Sequence, residues 1–334
     1  MATVREIASL AGVSPSTVSR VINGNVPVKE SARNKVLLAI QRLDEQGGRT
    51  EPRLRGEVGI VMPVSSAMNL AEHPSLYSTV LSFIETVSAH ELGNTTILLD
   101  EHSQPQNLRT QSVCGYLVLG TSEEQEGRLL EMLTSFGKPF IFINRLMDNK
   151  LASCINIDDE QATEQAVNYL LSLGHRRIAF IGGNQNYPNT KLRYSGYVKA
   201  LRAAGIEPDA ALARYGEYNE RSGEELGAQL LESGKLPTAA CVASDPIAIG
   251  MMRYLSVHGV RLPEELSVIG FGDIEASSYV NPPLTTISQT SREMGHAAAE
   301  TLLHMMGSPA ICSQKVLLRT ELVIRGSCAA PRTE

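Results

Sequence analysis

The chain has 334 residues, of which 43% are hydrophobic and 20% charged, the balance of a globular protein with room for two or three domains. No run approaches the ~18 uninterrupted apolar residues of a membrane span, and the opening MATVREIASLAG carries Arg5 and Glu6 where a secretory signal is apolar, so no membrane role and a cytoplasmic location are expected. The net charge of −6 is unevenly spread: residues 1–56 hold nine Lys/Arg and five Asp/Glu, the rest 21 and 31, so only the basic head suits a polyanionic partner.

Thr3 precedes an apolar stripe at helical spacing (Val4, Ile7, Ala8, Leu10), and Glu6 follows it by three residues, the arrangement of a capping box. Ala11-Gly12-Val13-Ser14 reads as a tight turn, with Gly12 able to take the left-handed conformation and Ser14 placed to cap the next helix. Pro15 then falls at a first helical position, where its missing N–H costs nothing. The helix PSTVSRVIN turns Val18, Val21 and Ile22 inward and leaves Pro15, Ser16, Thr17, Ser19 and Arg20 outward. A third amphipathic helix is expected over 29–43, with Ala32, Val36, Leu37, Ile40 and Leu43 on one face. Two short helices joined by a Gly-containing turn and closed by a third form a helix-turn-helix plan; the alternative on pattern alone is a plain three-helix bundle.

The string TVREIASLAGVSPSTVSRVINGNVPVKESARNKVLLAI, above all its I-A-x-x-A-G-V-S-x-x-T-V-S-R-V-I-N-G run, resembles the head of the lactose/galactose repressor family. The resemblance implies that the second helix reads the major groove, with Pro15, Ser16 and Arg20 against bases. The implied DNA-facing set is Thr3, Ser14, Pro15, Ser16, Thr17, Ser19, Arg20, Asn23 and Leu54. Pro15 cannot donate a side-chain hydrogen bond, which shifts direct readout to Ser16 and Arg20.

After Leu43 the charged, Gly- and Pro-containing DEQGGRTEPRLRGE marks a boundary: a head over 1–46, a hinge linker over 47–56 and a body over 57–334. In the family a hinge helix here wedges a leucine into the minor groove. Leu54, between Arg53 and Arg55, is the matching residue; the family's Y-x-P-N-x-x-A-R-x-L string is absent and the linker is short, so the residues leave both outcomes open.

From residue 57 apolar strands alternate with helices: EVGIVMP, a helix near 75–91, TTILLD, YLVLG, a helix near 123–136, PFIFIN, SCINID, a helix near 159–173, RIAFIGG, a helix near 190–204, and so on to LSVIGFGD. Continuous apolar strands between amphipathic helices imply parallel sheets covered on both faces, and the length implies two lobes. The expected fold is a small all-α head on an α/β body of two Rossmann-like parallel-sheet lobes, the first over about 57–157 and 290–315, the second over about 158–289 and 316–328. Ligands of such sheets bind beyond the carboxyl ends of the strands. That rule nominates Ser65, Asn144, Arg145, Ser244, Asp245 and Asp273, with Arg193 at the head of its helix, unless these positions are polar merely because the chain turns there.

The family resemblance extends through LGHRRIAFIGG, LRYSGYVKAL, VASDPIAIGMMRYLSVHG, RLPEELSVIGFGDIEASSYVNPPLTTI and TELVIRGS. It implies lobes like periplasmic sugar-binding proteins, an effector held between them, and a homodimer, or a tetramer built from it, on palindromic operator DNA. Tyr218 and Gln289 join the implied effector set, and Pro74, Ser75 and Leu76 line the other lobe. Tyr218 offers a ring face to a sugar's C–H side. Two departures stand out: Gly272-Asp273 replaces the Asp-Asp pair of many relatives, and only ten residues, Gln104 to Val113, separate EHS from CGYLVLG. The short linker and this deletion resemble the evolved β-galactosidase repressor subgroup, which implies a galactoside effector and control of sugar-utilisation genes.

The competing readings are an α/β enzyme and a sugar-binding protein without a DNA role. No G-x-S-x-G, H-E-x-x-H or G-x-x-x-x-G-K-[ST] is present, so no catalytic residue is nominated. Seven histidines without metal spacing and five scattered cysteines (Cys114, Cys154, Cys241, Cys312, Cys328) without C-x-x-C give no reason to expect a metal, a disulfide or a cofactor. A free-standing sugar-binding protein would leave the head idle.

Overall fold

The computed structural model describes residues 4–23, 32, 35, 36, 39, 56–63, 74–99, 112–119, 121, 123–144, 152–307 and 313–332. The chain divides into two units, Met1–Leu54 and Arg55–Glu334.

In the first unit α1 (Val4–Ala11) and α2 (Pro15–Asn23) flank a three-residue turn, Gly12-Val13-Ser14. Gly12 at φ +63° ends α1: the Val13 N–H donates to Ala8 O at 3.1 Å and the Gly12 N–H to Ser9 O at 3.4 Å, the paired bonds of a Schellman motif. Ser14 then caps α2, its Oγ accepting from the Thr17 N–H at 3.2 Å. The core of this unit joins Ile7, Ala8, Ala11 and Val18 to Val36 and Ala39 of the third segment, with Val21 packed against it. Two residues of the expected stripe are not in it: Val4 is 41% exposed and Leu10 44%. At about 100° per residue, Leu10 points about 60° away from Ile7 and about 100° away from Ala11, and Val4 sits on the open first turn. Leu37, Ile40, Leu43 and the Thr3–Glu6 capping box lie outside the described side chains, as does the linker.

The body opens with β1 (Glu57–Pro63), α3 (Pro74–Ala89), β2 (Gly93–Leu99), β3 (Val113–Val118), α4 (Glu123–Ser135), β4 (Phe140–Ile143) and β5 (Ser153–Ile157). The chain then crosses to a second lobe made of α5 (Asp159–Ser172), β6 (Ile178–Gly182), α6 (Pro188–Ala203), β7 (Ala213–Tyr215), α7 (Glu220–Glu232), β8 (Ala239–Val242), α8 (Asp245–Val257), β9 (Ser267–Gly272) and β10 (Thr285–Ser288). It returns to the first lobe for α9 (Ser291–Gly307) and β11 (Lys315–Leu318), and crosses a third time into β12 (Glu321–Val323). The first sheet runs β11-β5-β4-β3-β1-β2 and is parallel throughout; the second runs β12-β10-β9-β8-β6-β7 and is parallel except where β12 pairs antiparallel with β10. The expected return to the second lobe at 316 comes later: Lys315–Leu318 adds to β5 in the first sheet, and Arg319-Thr320 carries the crossing.

Strands buried on both faces explain the unbroken apolar runs FIFI, IAFIG and SVIGFG, every residue of which is buried. Helices α7 and α8 pack tightly because Gly250 has no side chain: a Cβ there would run into Glu220 O. Gly295 of α9 meets Thr79 O of α3 in the same way. His175 is buried between Thr238 Oγ1 (3.0 Å) and Ala329 O (2.8 Å). A carbonyl only accepts, so Nε2 carries the proton, and the neutral ring pins the C-terminal segment to the second lobe. Among the described residues no helix is long and apolar enough to cross a membrane.

Candidate DNA-reading helix and ligand cleft

On α2, Pro15, Ser16 and Arg20 are exposed, Thr17 and Ser19 half-buried, and Val18 fully buried, so the polar face is the outer one. Ser14 Oγ lies 2.8 Å from both Ser16 Oγ and Thr17 Oγ1, a small hydroxyl cluster at the helix start. Each hydroxyl can rotate to donate or accept, which suits base edges of either kind. Arg20, one turn on, supplies a cation. Thr3, Leu54, Ser65, Arg145 and the side chain of Asn23 lie outside the described residues.

In the body both sheets reverse strand order at one place, between β1 and β3 and between β6 and β8, where a crevice opens beyond the strand ends. Arg193 of α6 reaches this point in the second lobe. It is 3% exposed and fixed on three sides: Nε donates to Asp159 Oδ1 at 2.8 Å, Nη1 donates to Ala243 O just beyond β8, and the guanidinium lies 3.6 Å over the Phe271 ring. Its Nη2 has no partner. A buried, unpaired guanidinium N–H is costly, by roughly 1–3 kcal/mol, so a site that holds one open is built for an acceptor.

Beside it, the Tyr218 ring lies flat on Gly183, where any side chain would collide with it. Tyr218 Oη is 2.7 Å from Thr190 Oγ1, which itself donates to Asn184 O at 2.7 Å. Burial pushes the Tyr218 phenol up despite the opposing charge of Arg193, so it stays protonated and donates. Tyr187 stands edge-on to it at 6.1 Å, completing an aromatic corner. The first lobe contributes three further buried side-chain atoms without partners, Thr121 Oγ1 after β3, Asn144 Oδ1 after β4 and Asn156 Oδ1 within β5. With Arg193 Nη2 these are the unpaired buried side-chain atoms among the described residues.

Two expected effector residues have other work. Asp245 is fully buried; Oδ1 accepts from Thr286 Oγ1 at 2.6 Å, and Oδ2 accepts from Ser277 Oγ at 2.7 Å and the Ile274 N–H at 3.1 Å. As the first residue of α8 it reaches back toward the second sheet and ties the segment after β9 to β10. Asp273, at φ +55°, is engaged by Arg325 at 2.6 Å. Ser244 caps α8 through the Ile247 N–H at 3.5 Å and keeps its own proton to donate. Gln289 is half-buried on the second crossing, its N–H bonded to Gly272 O at 3.4 Å.

The Gly272 departure has a backbone cause. Its φ is +144°, a conformation L side chains rarely adopt, so an aspartate there would be strained; a Cβ would stand at ordinary contact, 3.4 Å, from both Ser75 Oγ and Asp245 Oδ2. The same distances bring Ser75 of α3, in the expected set with Pro74 and the half-buried Leu76, against the second lobe. Asn156, Asp159, Tyr187, Thr190 and Phe271 were not nominated from sequence; a polar residue inside the apolar strand SCINI is the one available signal for Asn156.

Comparison with known proteins agrees with this division. Residues 3–44 match the family described as bacterial regulatory proteins, lacI family, and residues 167–328 match a periplasmic binding protein-like domain. The lactose operon repressor of Escherichia coli (strain K12) is 32% identical over 99% of this chain and 92% of that protein. The HTH-type transcriptional regulator CelR of Thermobifida fusca is 31% identical over 97% and 98%. Among solved structures, a CelR–cellobiose complex superposes with a TM-score of 0.75 at 30% identity, covering 98% of this chain and 100% of that one. The lac repressor dimer bound to operator and the anti-inducer ONPF superposes with a TM-score of 0.72 at 26% identity, covering 98% and 99%. With a DNA-reading head at one end and a two-lobed ligand cleft making up the rest, this chain belongs to the lacI family of bacterial regulatory proteins and is a DNA-binding transcriptional regulator.

Proposed function

We propose that the chain is a cytoplasmic repressor of sugar-utilisation genes that acts as a homodimer on a palindromic operator and is governed by a sugar held between its lobes. It is a regulator and not an enzyme, as its relatives are repressors. Two α2 helices in one dimer meet half-sites about one helical turn apart. Operator binding in the lac repressor structure and cellobiose in the CelR structure support this reading. The likeness to the lactose operon repressor supports a galactoside as effector and leaves room for a tetramer of two dimers. The effector contacts proposed are Ser65, Ser75, Leu76, Asn144, Arg145, Arg193, Tyr218, Ser244 and Gln289, with Pro74 shaping the first turn of α3.

The observation that carries the proposal is Arg193, buried, locked on three sides and unpaired at Nη2. A ligand bound by residues of both lobes can alter operator affinity only if it favours one arrangement of the lobes over the other. Fluorescence anisotropy of an inverted-repeat duplex, with and without a panel of galactosides and glucosides, tests it. Specific, salt-dependent binding that one sugar changes is expected, and Arg193→Ala should remove the sugar response. Equal affinity for inverted-repeat and random duplex under every condition would overturn the proposal.

A further inference from the structure

We propose that Asn156 is a ligand contact which, with Asn144, selects uncharged polyhydroxy effectors over anionic ones; this rests on reading the cleft as an effector site. Asn156 lies in β5, with 1% of its surface exposed. The parallel register sets Ile143 beside Ile155, and the Asn144 N–H continues that ladder to Ile155 O at 3.1 Å. Asn144, just past the end of β4 at φ +58°, and Asn156 of β5 are therefore neighbours in the register, Asn156 on the face that also carries Cys154. Both Oδ1 atoms are buried and unpaired, on residues near the carboxyl edge of the first sheet. Three residues after Asn156, Asp159 holds Arg193 Nε, so the pair adjoins the crossing that carries the Arg193 site.

The chemistry of these atoms limits what can satisfy them. A carbonyl oxygen only accepts, so its partner must bring a proton. A sugar hydroxyl donates to Asn144 or Asn156 and, through its own oxygen, accepts from Arg193 Nη2, so one kind of group serves both lobes. A phosphate or carboxylate ionised at neutral pH has no proton for the asparagines and meets two carbonyl dipoles by their negative ends. It also gains little from Arg193, whose charge Asp159 already balances across 2.8 Å. Sites built to hydrogen-bond a substrate hydroxyl discriminate strongly against ligands that leave their buried groups unpaired. In the free protein the unpaired oxygens are a standing cost in stability, of the sort proteins keep where function needs it.

Isothermal titration calorimetry on the full-length protein tests the idea with matched pairs: galactose, lactose, glucose and cellobiose against galactose 6-phosphate, galacturonate, glucose 6-phosphate and glucuronate. A neutral saccharide should bind, and its anionic counterpart at least about 100-fold more weakly. An anion that binds as tightly as its neutral match overturns the selectivity but leaves the effector reading in place. Failure of every saccharide to bind or to change operator occupancy overturns both. Asn156→Leu should weaken the neutral saccharide by roughly 10- to 100-fold while raising the unfolding temperature of the unliganded protein, because it removes an unpaired buried carbonyl. Asn156→Asp, which keeps an acceptor, should hold most of the affinity. Unchanged affinity in Asn156→Leu, with a lowered unfolding temperature, would make Asn156 a structural residue and sink the proposal.

Discussion

Replacing Asp245 separates a structural anchor from a ligand contact. Asp245→Ala leaves the Ile274 N–H buried without an acceptor and strips Thr286 and Ser277 of theirs, although both hydroxyls can turn elsewhere. One orphaned buried N–H plus two weakened bonds amounts to about 3 kcal/mol. For a body of this size that lowers the unfolding temperature by roughly 5 °C. Asp245→Asn is different: its oxygen can keep the Ile274 and Ser277 bonds while its NH2 faces Thr286, whose hydroxyl turns to accept. Burial raises the Asp245 carboxyl above its ordinary 3.8, outweighing its three donors. Between 3.8 and that raised value the folded state keeps a proton that the unfolded state has released, so the wild type loses stability as pH climbs through this window. The asparagine variant has no such proton and should lack that part of the loss, standing within ~1 kcal/mol of wild type or above it at neutral pH. Thermal unfolding across pH, with calorimetry for ligand, checks both variants. An Asp245→Ala protein that melts with the wild type yet no longer binds sugar would refute this account.

Three further perturbations follow from the same geometry. Ser16→Ala and Arg20→Ala should each cost about 1–3 kcal/mol of operator discrimination, read as anisotropy titrations against base-substituted duplexes; unchanged preference would place base reading elsewhere. Burial lowers the His175 pKa below 6.5, so below that pH the unfolded state takes up a proton the folded state refuses and stability falls. His175→Gln should remove up to ~1.4 kcal/mol per pH unit of that slope as pH falls below 6.5, seen in denaturant midpoints. Gly250→Ala should destabilise by roughly 1–3 kcal/mol despite the better helix propensity of alanine, because its Cβ meets Glu220 O; a variant as stable as wild type would show that α7 and α8 can move apart freely.

The head was readable because its signals are local. Gly12, Ser14 and Pro15 each have a backbone job at a fixed position, and the structure finds each doing it. Strand positions were readable for a similar reason, since a strand buried on both faces must be apolar throughout. Direction was not. Ser244 and Asp245 both follow β8, yet one caps a helix at the cleft and the other turns into the sheet, a difference decided by Thr286, Ser277 and Ile274 some 30 to 40 residues away. Asn156 was missed for the converse reason: within SCINI it looks like strand, and only the pairing of β4 with β5 sets it beside Asn144. The KVLLRTELV segment reads as a single return, whereas Arg319-Thr320 splits it between two sheets.

That split bears on how a ligand can act. Three short crossings join the lobes, at Asp158, at Gln289-Thr290 and at Arg319-Thr320, and each is anchored where it leaves a lobe. Asp158 caps α5 through the Gln161 N–H at 2.9 Å, and Thr290, at φ +47°, donates from Oγ1 to Arg319 O at 3.5 Å, linking the second crossing to the third. Each sheet is six strands wide with helices locked on it, so bending within a lobe costs far more than turning a few backbone dihedrals between lobes. Relative motion is therefore confined to these crossings, and two of the three move together. Asp159 lies one residue past the first crossing and holds Arg193, while Asn156 lies two residues before it. A hydroxyl ligand gripped by both spans the crossing itself, where a small change in ligand geometry is translated most directly into lobe rotation.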